Sequence, residues 1–288
     1  MSEIAIHRYA NRYKTNSDFF AEILDRESPA DRDPENFWDL KADEFQAAKR
    51  TYGTQLTEKV LGALKTRNIL DEESAVLDVG CAYGRYALPF AETARSVVAS
   101  DVSSKMVEMC ERNARGRNLD NLSCVKHDWL KDGLGDFEKA FDVVFASMCT
   151  AARTTAGLKK MTEASRKHCV AAQYTDIRDD LLEELAVKAE ADLGRDPHKG
   201  GEVAWAIFNW LWLEGLEPEI FHLERSENAL LPLDEAAARY RLNLGKAVRD
   251  KGLDLRSLLE PHAEDGRIRA TGKTSLALIC WKAPPARA

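Results

Sequence analysis

Short apolar runs alternate with amphipathic stretches between residues 74 and 173, and this alternation constrains the fold more than any other feature of the chain. The apolar runs predict strands over 74–79, 96–100, 122–126, 140–147 and 169–173. The stretches between them predict helices over 85–94, 104–117 and 158–168. Strands that alternate with helices form a parallel sheet covered on both faces, so we expect an α/β fold.

The flanking segments have a different character. Residues 1–53 are polar and aromatic with short helix starts, which predicts an N-terminal helical cap on a single domain over 54–288. A helical insertion is expected over about 178–215, because two helical patterns there interrupt the alternation. Near the C-terminus, two apolar stretches separated by Thr271-Gly272-Lys273 predict a hairpin that forms an antiparallel edge.

Composition excludes several classes of protein. The 288 residues carry a net charge of −7, which argues against a protein that grips nucleic acid through its phosphates. We expect no secretory signal and no membrane span, hence a cytoplasmic protein. Scattered cysteines without a CxxC pair predict buried, reduced thiols and no metal site. They are Cys81, Cys110, Cys124, Cys149, Cys169 and Cys280.

The segment VLDVGCAYGR, residues 76–85, places an acid and a glycine turn at the end of the first predicted strand. Gly80 has no Cβ, so the chain can turn sharply there and a ligand can approach the backbone. Gly84 lets the next helix begin tightly, with its free N–H groups directed at the ligand. The members of this turn are Gly80, Cys81, Ala82, Tyr83 and Gly84.

A dinucleotide site is the competing interpretation of this turn. Its fingerprint, G-x-G-x-x-G/A, needs a small third residue, where this chain has Arg85. Asp78 would also lie close to a dianionic pyrophosphate, which is unfavourable. Its carboxylate suits a ligand with a cationic end, and Asp101, at the end of the second strand, could accept hydrogen bonds from a ribose diol. A nucleoside with an amino-acid tail therefore fits better than NAD, which disfavours a dehydrogenase.

Residues 76–114 resemble the first two motifs of class I S-adenosylmethionine-dependent methyltransferases. The glycine motif of that family reads roughly D/E-x-G-x-G-x-G, and Ala82 replaces its middle glycine here. The resemblance continues over about residues 55–173. It implies a Rossmann-like fold with a mostly parallel seven-stranded sheet and an antiparallel C-terminal hairpin strand. It also implies S-adenosylmethionine as the cofactor and S-adenosylhomocysteine as the product.

The same resemblance implies two groups of cofactor contacts. The methionine part and the methyl group would contact Asp78, Gly80, Cys81, Ala82, Tyr83, Gly84, Ser147 and Met148. The ribose and the adenine would contact Asp101, Val102, Met106, Asp128 and Trp129. From the residues alone, other roles stay open: Asp78 could form a turn, Asp101 could cap a helix, Asp128 could shape a loop and Met106 could be core.

The exit of the fourth strand, Ser147-Met148-Cys149-Thr150, bears on the methyl acceptor. It lacks both the [DN]-P-P-aromatic motif of enzymes that methylate adenine amino groups and the Pro-Cys of enzymes that attack pyrimidine carbon, which disfavours base methylation. Cys149 is either a reactive thiol or a small buried residue. Tyr174 and His127 are the candidate catalytic bases. Trp38, Cys149 and Trp205 are the expected lining of the substrate pocket.

We therefore expect transfer of a methyl group by in-line displacement to an oxygen, nitrogen or sulfur atom of a small organic acceptor. Two alternatives stay open: a methyltransferase that acts on protein or structured RNA, and a protein that binds S-adenosylmethionine without catalysis. The tryptophan-rich stretch 203–213 is interpreted as a core helix, with a dimer interface or a pocket wall as alternatives. Either a monomer or a homodimer is compatible with these features.

Overall fold

The structure, a computed structural model, describes residues 16–27, 32–48, 55–193 and 201–285. Its helices are α1 (16–24), α2 (Pro34–Ala48), α3 (Gln55–Thr66), α4 (Ala87–Ala91), α5 (Ser104–Arg115), α6 (Thr155–Ala164), α7 (Asp180–Lys188), α8 (Glu202–Leu213), α9 (Leu233–Asp250) and α10 (Leu255–Leu259). Its strands are β1 (Ala75–Val79), β2 (Ser96–Asp101), β3 (Leu122–Lys126), β4 (Phe141–Ser147), β5 (Ser165–Arg178), β6 (Glu219–Pro232), β7 (Ala263–Glu264) and β8 (Arg267–Lys282).

The strands form one sheet in the order β3-β2-β1-β4-β5-β8-β6, with the short β7 paired to β8. The five strands from β1 to β5 are parallel to one another. β7 and β8 are antiparallel. The strand order reverses between β1 and β4, and ligands bind in the crevice at the carboxyl ends of such strands. The predicted α/β class, with a mostly parallel sheet and antiparallel strands at the C-terminus, is confirmed.

The predicted hairpin turn at Thr271–Lys273 is wrong. β8 runs unbroken from Arg267 to Lys282, and the turn lies earlier, at Asp265 and Gly266. Both turn residues have positive φ, 52° and 71° respectively, a conformation that Asp and Gly tolerate. Gly272 serves another purpose, because a β-carbon there would lie 2.8 Å from the carbonyl oxygen of Arg178. The glycine allows a close approach of two strands rather than a turn.

The chain divides into two compact units. The first comprises residues 1–173, 202–223 and 277–288, and the second comprises 174–201 and 224–276. The sequence analysis divides the chain differently, into a cap that ends at residue 53 and an insertion over about 178–215. These boundaries stay predictions. Residues 1–15 of the predicted cap and 194–200 of the predicted insertion lie outside the described residues.

In the first unit, α8 packs on the sheet and supplies part of the hydrophobic core. Its buried residues include Ile207, Trp210 and Leu211, which cluster with Trp281 of β8. The indole N–H of Trp281 donates to the hydroxyl of Thr162 on α6 at 2.9 Å, so this buried aromatic ring has its polar atom satisfied. The interpretation of 203–213 as a core helix agrees with this packing.

The second unit has its own core and a half-buried ionic cluster. α7 and α9 pack together through Leu185, Tyr240 and Leu244 among others. The guanidinium of Arg239 donates to Glu227 at 2.7 Å and to Asp179 at 3.1 Å. The hydroxyl of Tyr240 donates to Asp179 at 3.2 Å, and Arg225 donates to Glu227 at 2.9 Å. Two acids and two arginines balance in charge here, which indicates a structural role.

Candidate functional site

The glycine turn lies at the carboxyl end of β1 in a left-handed conformation. Gly80, Ala82 and Gly84 have φ values of 72°, 48° and 87°. The backbone N–H groups of Gly80 and Cys81 donate to the carbonyl of Ser100 at 2.8 and 3.0 Å, which ties the turn to β2. Because glycine enters this region freely and alanine does so at a cost, Ala82 is the strained position of the turn.

Gly80 and Gly84 are also needed because neighbouring sulfur atoms leave no room for a β-carbon at either position. A β-carbon at Gly80 would lie 2.7 Å from Sγ of Cys149, and one at Gly84 would lie 2.8 Å from Sγ of Cys110. Tyr83 is half-buried, and its carbonyl oxygen accepts a hydrogen bond from the side chain of Asn113 at 2.8 Å. The turn is thereby held on one side by the exit of β4 and on the other by α5.

Asp78 lies within β1, just before the turn, and is 2 % exposed. Among the described residues, no group donates a hydrogen bond to its Oδ2. Burial raises the pKa of Asp78 to about 8, and the negative charge of the nearby Asp101 also raises it. A backbone hydrogen bond from Ala87 acts in the opposite direction and lowers this pKa. A buried carboxylate oxygen without a donor is costly, so it favours a ligand that brings a cation or a donor.

Asp101 ends β2 and is held by backbone N–H groups. Its Oδ1 accepts from the N–H of Ser103 and its Oδ2 accepts from the N–H of Ala82, each at 2.9 Å. Burial raises the pKa of Asp101 to about 6, although the N–H groups of Ser103 and Ala82 oppose the rise. The cap of α5 is Ser103, whose side chain accepts from the N–H of Met106 at 3.1 Å. Asp101 therefore orients the turn and the start of α5 with one fixed carboxylate.

Val102 and Met106 are the predicted neighbours of the adenine. Val102 lies in the loop before α5, and Met106 lies in the first turn of that helix. Met106 is buried and packs with Met109 and with Ala42 of α2, and Ala82 and Tyr83 lie against this small cluster. Val102 is half-buried. The helix α2 of the predicted cap thus packs on the same side of the sheet edge as the glycine turn.

Two acidic residues of α2 that the sequence analysis did not select bind the N-terminus of α5. Oδ1 of Asp39 accepts from the hydroxyl of Ser103 at 2.5 Å and from the N–H of Lys105 at 3.2 Å. One helical turn earlier, Oε1 of Glu35 accepts from the hydroxyl of Ser104 at 2.9 Å. Acids four residues apart in a predicted cap helix, together with the pair Ser103-Ser104, are the signal that could have indicated this contact.

The loop after β3 places the predicted adenine contacts in different surroundings. Oδ1 of Asp128 accepts from the N–H groups of Leu130 and Lys131, each at 3.2 Å, so this carboxylate shapes its own loop. Trp129 is buried in the core of the first unit, and its indole N–H donates to the carbonyl of Gly157 at 3.2 Å. The cofactor roles of Asp128 and Trp129 stay predictions.

His127, a predicted base, is packed between aromatic rings. Its ring centroid lies 5.1 Å from that of Phe137 and 5.9 Å from that of Trp129. Burial lowers the pKa of His127, and the ammonium of Lys160 lowers it further. Among the described residues, its Nε2 has no hydrogen-bond partner. The imidazole is therefore neutral near pH 7, and the burial that keeps it neutral also makes it a weaker proton acceptor.

The exit of β4 carries the residues predicted to border the methyl group. Met148 follows Ser147 with a positive φ of 55°, and its N–H donates to the carbonyl of Ala172 in β5 at 3.0 Å. Cys149 is half-buried, and burial raises the pKa of its thiol to about 12. The thiol is thus protonated at neutral pH, which disfavours its interpretation as a reactive nucleophile.

The two predicted pocket tryptophans lie on different helices, and the predicted base Tyr174 lies on a strand. Trp38 lies on α2 next to Phe37, with 5.1 Å between the ring centroids. Trp205 lies on α8, is 50 % exposed and contacts Phe20 of α1 at a centroid distance of 4.8 Å. Tyr174 lies in β5 and belongs to the second compact unit. Its role as a base stays a prediction.

In the described ranges, no group of three or more His, Cys, Asp or Glu side chains is arranged to bind a metal ion. The six cysteines are free thiols. In the same ranges, no helix is both long enough and apolar enough to cross a bilayer.

Comparisons with known proteins agree with this geometry. The model of a family described as "Methyltransferase domain" matches residues 76–170, which include β1 to β4 and the glycine turn. An uncharacterised protein of Haemophilus influenzae is 24 % identical over 251 residues, which are 85 % of this chain and 88 % of that protein.

Two further relatives extend the comparison. The 23S rRNA (uracil(1939)-C(5))-methyltransferase RlmD of a Marinomonas species is 38 % identical over 60 residues, but these are 21 % of this chain and 14 % of that enzyme. A crystal structure described as a candidate type II methyltransferase of Anaeromyxobacter dehalogenans superimposes with a TM-score of 0.54 at 15 % identity, over 81 % of this chain and 97 % of that one. Residues 76–170 thus match the model of a methyltransferase domain, and the chain shares the fold of a structure described as a methyltransferase.

Proposed function

We propose that this protein transfers the methyl group of S-adenosylmethionine to an oxygen, nitrogen or sulfur atom of a small organic acceptor. The observation that carries the proposal is a pair of buried carboxylates, Asp78 and Asp101, at the carboxyl ends of adjacent strands beside a left-handed turn. S-adenosylmethionine has an ammonium group on its amino-acid tail and a ribose diol. These are the two groups that the two carboxylates can bind.

The donor set fits this cofactor better than a dinucleotide. Oδ2 of Asp78 has no donor among the described residues, and the ammonium group of the methionine part would supply one. The oxygens of Asp101 have further lone pairs beyond those that the N–H groups of Ala82, Ser103 and Val102 occupy. A pyrophosphate in the same turn would instead place negative charge beside Asp78.

When bound, S-adenosylmethionine supplies an activated methyl group, and the acceptor's lone pair forms the new bond as the sulfur–carbon bond breaks in line with it. The protein's task is to hold both partners, to exclude water and, where the acceptor carries a proton, to remove it. His127 is one candidate base, because its imidazole is neutral near pH 7 and its Nε2 has no hydrogen-bond partner among the described residues. Tyr174 is the second candidate, and a change of Tyr174→Phe or His127→Gln that lowers kcat alone would identify the base.

The acceptor is proposed to be small for three reasons. The net charge of −7 opposes binding to phosphate backbones. The exit of β4 lacks the motifs of enzymes that methylate bases. The similarity to RlmD covers 14 % of that enzyme, too little to extend its RNA substrate to this chain. We propose Trp38, Cys149 and Trp205 as lining of the acceptor pocket, a cytoplasmic location, and a monomer or homodimer as the working state.

Titration calorimetry with S-adenosylmethionine, S-adenosylhomocysteine and NAD tests the cofactor. We expect binding of the first two and none of NAD. Asp78→Asn and Asp101→Asn should each weaken binding by about 1.5–3 kcal/mol, the contribution of a hydrogen bond to a charged group. Asp142→Asn is the matched control, because that buried acid lies at the amino end of β4, where the N–H of Ala75 and Arg166 satisfy it. Binding of NAD instead would contradict the proposal.

Incubation with a methyl-labelled donor identifies the acceptor. Small molecules, proteins and RNA from a cell extract are supplied separately, and mass spectrometry locates the label. Label in the small-molecule fraction supports the proposal. Label in RNA or protein would identify those molecules as the acceptors and contradict the proposal of a small acceptor. Cofactor binding without any labelled product would favour a non-catalytic binding protein.

A further inference from the structure

We infer that Asp39 of α2 is a positioning residue of the cofactor site, which acts through Ser103 to hold the carboxylate of Asp101. The inference rests on the proposed function for the role of Asp101 at the ribose. Asp39 belongs to the predicted cap, 62 residues before Asp101, and is not part of the motifs that resemble known methyltransferases.

Ser103 joins the two carboxylates through its own two donors. Its hydroxyl donates to Oδ1 of Asp39 at 2.5 Å, and its backbone N–H donates to Oδ1 of Asp101 at 2.9 Å. The hydroxyl oxygen also accepts from the N–H of Met106 at 3.1 Å. The two hydrogen bonds of the hydroxyl fix the position of Ser103, and with it the N–H that binds Asp101, so the loss of Asp39 weakens the hold on Asp101 as well.

The position of Asp39 is itself well determined. Its Oδ1 also accepts from the N–H of Lys105 at 3.2 Å, so the carboxylate lies at the N-terminus of α5. The positive end of a helix dipole stabilises a carboxylate there. Ser103 itself is fully buried, so water does not replace Asp39 as the acceptor for its hydroxyl in the folded protein.

Asp39 also influences Asp101 electrostatically. Burial is the main cause that raises the pKa of Asp101 to about 6, and the negative charge of Asp39 raises it as well. The ionisable groups around Asp101 from the packed elements are Asp39 on α2, Asp78 on β1, Lys126 opposite it on β3, Cys81 in the turn and Cys149 after β4. Removal of the charge of Asp39 therefore lowers the pKa of Asp101.

Glu35 offers a matched control on the same helix. It accepts from the hydroxyl of Ser104 at 2.9 Å and forms an ion pair with Lys126 at 2.5 Å. Glu35 therefore docks α2 on α5 as Asp39 does, but its hydrogen bonds go to Ser104 and Lys126 rather than to Ser103. A loss that comes only from weaker docking of α2 would appear in both variants.

The test uses the full chain with Asp39→Ala, Asp39→Asn and Glu35→Gln. Binding of S-adenosylmethionine is measured by calorimetry at pH 7.0. We expect Asp39→Ala to raise Kd about 3- to 10-fold, the range of one ordinary hydrogen bond. Asp39→Asn should recover part of this loss, because its amide oxygen can still accept from Ser103. Glu35→Gln should leave Kd within about twofold of the parent, as for a surface ion pair.

A second measurement does not depend on the cofactor. Carboxyl carbon NMR follows the titration of Asp101 in the free protein, with Asp101→Asn used to assign the signal. We expect a lower midpoint in Asp39→Asn than in the parent and no change in Glu35→Gln. An unchanged midpoint, or equal losses of affinity in the Asp39 and Glu35 variants, overturns the inference. A parent protein that titrates as expected but binds no S-adenosylmethionine overturns the proposed function while the link from Asp39 to Asp101 stands.

Discussion

Sγ of Cys149 lies 2.7 Å from the point that a β-carbon on Gly80 would occupy. The exit of β4 therefore rests directly on the first residue of the glycine turn. This contact explains why glycine is needed at position 80 beyond its φ of 72°. It also brings Cys149, a predicted pocket residue, against the proposed cofactor site.

Gly80→Ala should destabilise the protein and abolish cofactor binding. The left-handed conformation costs alanine about 1–2 kcal/mol, and the overlap with Cys149 adds to this. Urea unfolding measures the loss. In the background of Cys149→Ala, the same substitution should cost less, because the sulfur is gone while the backbone strain stays. Equal costs in the two backgrounds would show that the sulfur does not fill this space.

Asp78 should make the cofactor-free protein less stable as the pH rises. An unfolded aspartate loses its proton near pH 3.9, roughly, whereas folding raises the pKa of Asp78 to about 8. The folded state therefore binds more protons in this window, and its stability falls as the pH rises from about 4 to 8. Asp78→Asn removes this dependence, so we expect a higher unfolding temperature than the parent at pH 8 together with a loss of cofactor binding.

Asp142 provides the opposite control for that experiment. The N–H of Ala75 and the cations of Lys167 and Arg166 lower the pKa of Asp142 despite its burial. Its contribution to stability is present above the unfolded pKa and is lost as the pH falls. Asp142→Asn should therefore lower the unfolding temperature at neutral pH. A fall in stability at pH 8 for Asp78→Asn would contradict the assignment of Asp78 as a costly buried acid.

Arg239→Ala should destabilise the second unit strongly. The guanidinium binds both Glu227 and Asp179, and its removal leaves two half-buried acids without that partner. Loss of one member of a buried ion cluster costs about 3–5 kcal/mol. Denaturant unfolding followed by circular dichroism measures the change. Arg239→Lys should recover only part of it, because an ammonium group cannot make the same paired contacts.

The tryptophans of α8 should respond differently to truncation. Trp210 is 3 % exposed in the core of the first unit, so Trp210→Ala should cost about 3–5 kcal/mol of stability. Trp205 is half-exposed and contacts Phe19 and Phe20, so Trp205→Ala should cost about 0.5–1.5 kcal/mol, the value of an aromatic pair. If Trp205 lines the acceptor pocket, its loss should also raise KM for the acceptor. An unchanged KM would show that Trp205 does not line the acceptor pocket.

The strands and the buried acids could be predicted because local pattern decides them. The apolar runs of β1, β2 and β4 end at a common sheet edge, so Asp78 and Asp101 were placed there from their position in the chain. β6 was harder, because exposed and half-exposed residues alternate along an edge strand and obscure an apolar run.

Contacts between distant segments could not be predicted in the same way. Ser103 and Asp39 are 64 residues apart, and although the acids of α2 suit the serines that begin α5, neither local sequence identifies the other helix as its partner. Gly272 shows the related limit, since a glycine for close approach and a glycine for a turn look alike in one sequence. Cap and acceptor contacts depend on such tertiary packing, and for this reason the acceptor itself was the least predictable part of the site.

The six native thiols all have pKa values above the ordinary range. A hydrogen bond with Cys110 is the main cause that raises the pKa of Cys124, whereas for Cys81 and Cys110 one thiol hydrogen bond lowers the pKa and burial raises it. Burial is the main cause for Cys149, Cys169 and Cys280. Thiol-directed dyes react with the ionised sulfur, so these positions are poor targets for them. A cysteine introduced at the exposed Glu72, beside the amino end of β1, would be labelled first. A fluorophore could thus be attached in the natural background, away from the crevice, to report on ligand binding.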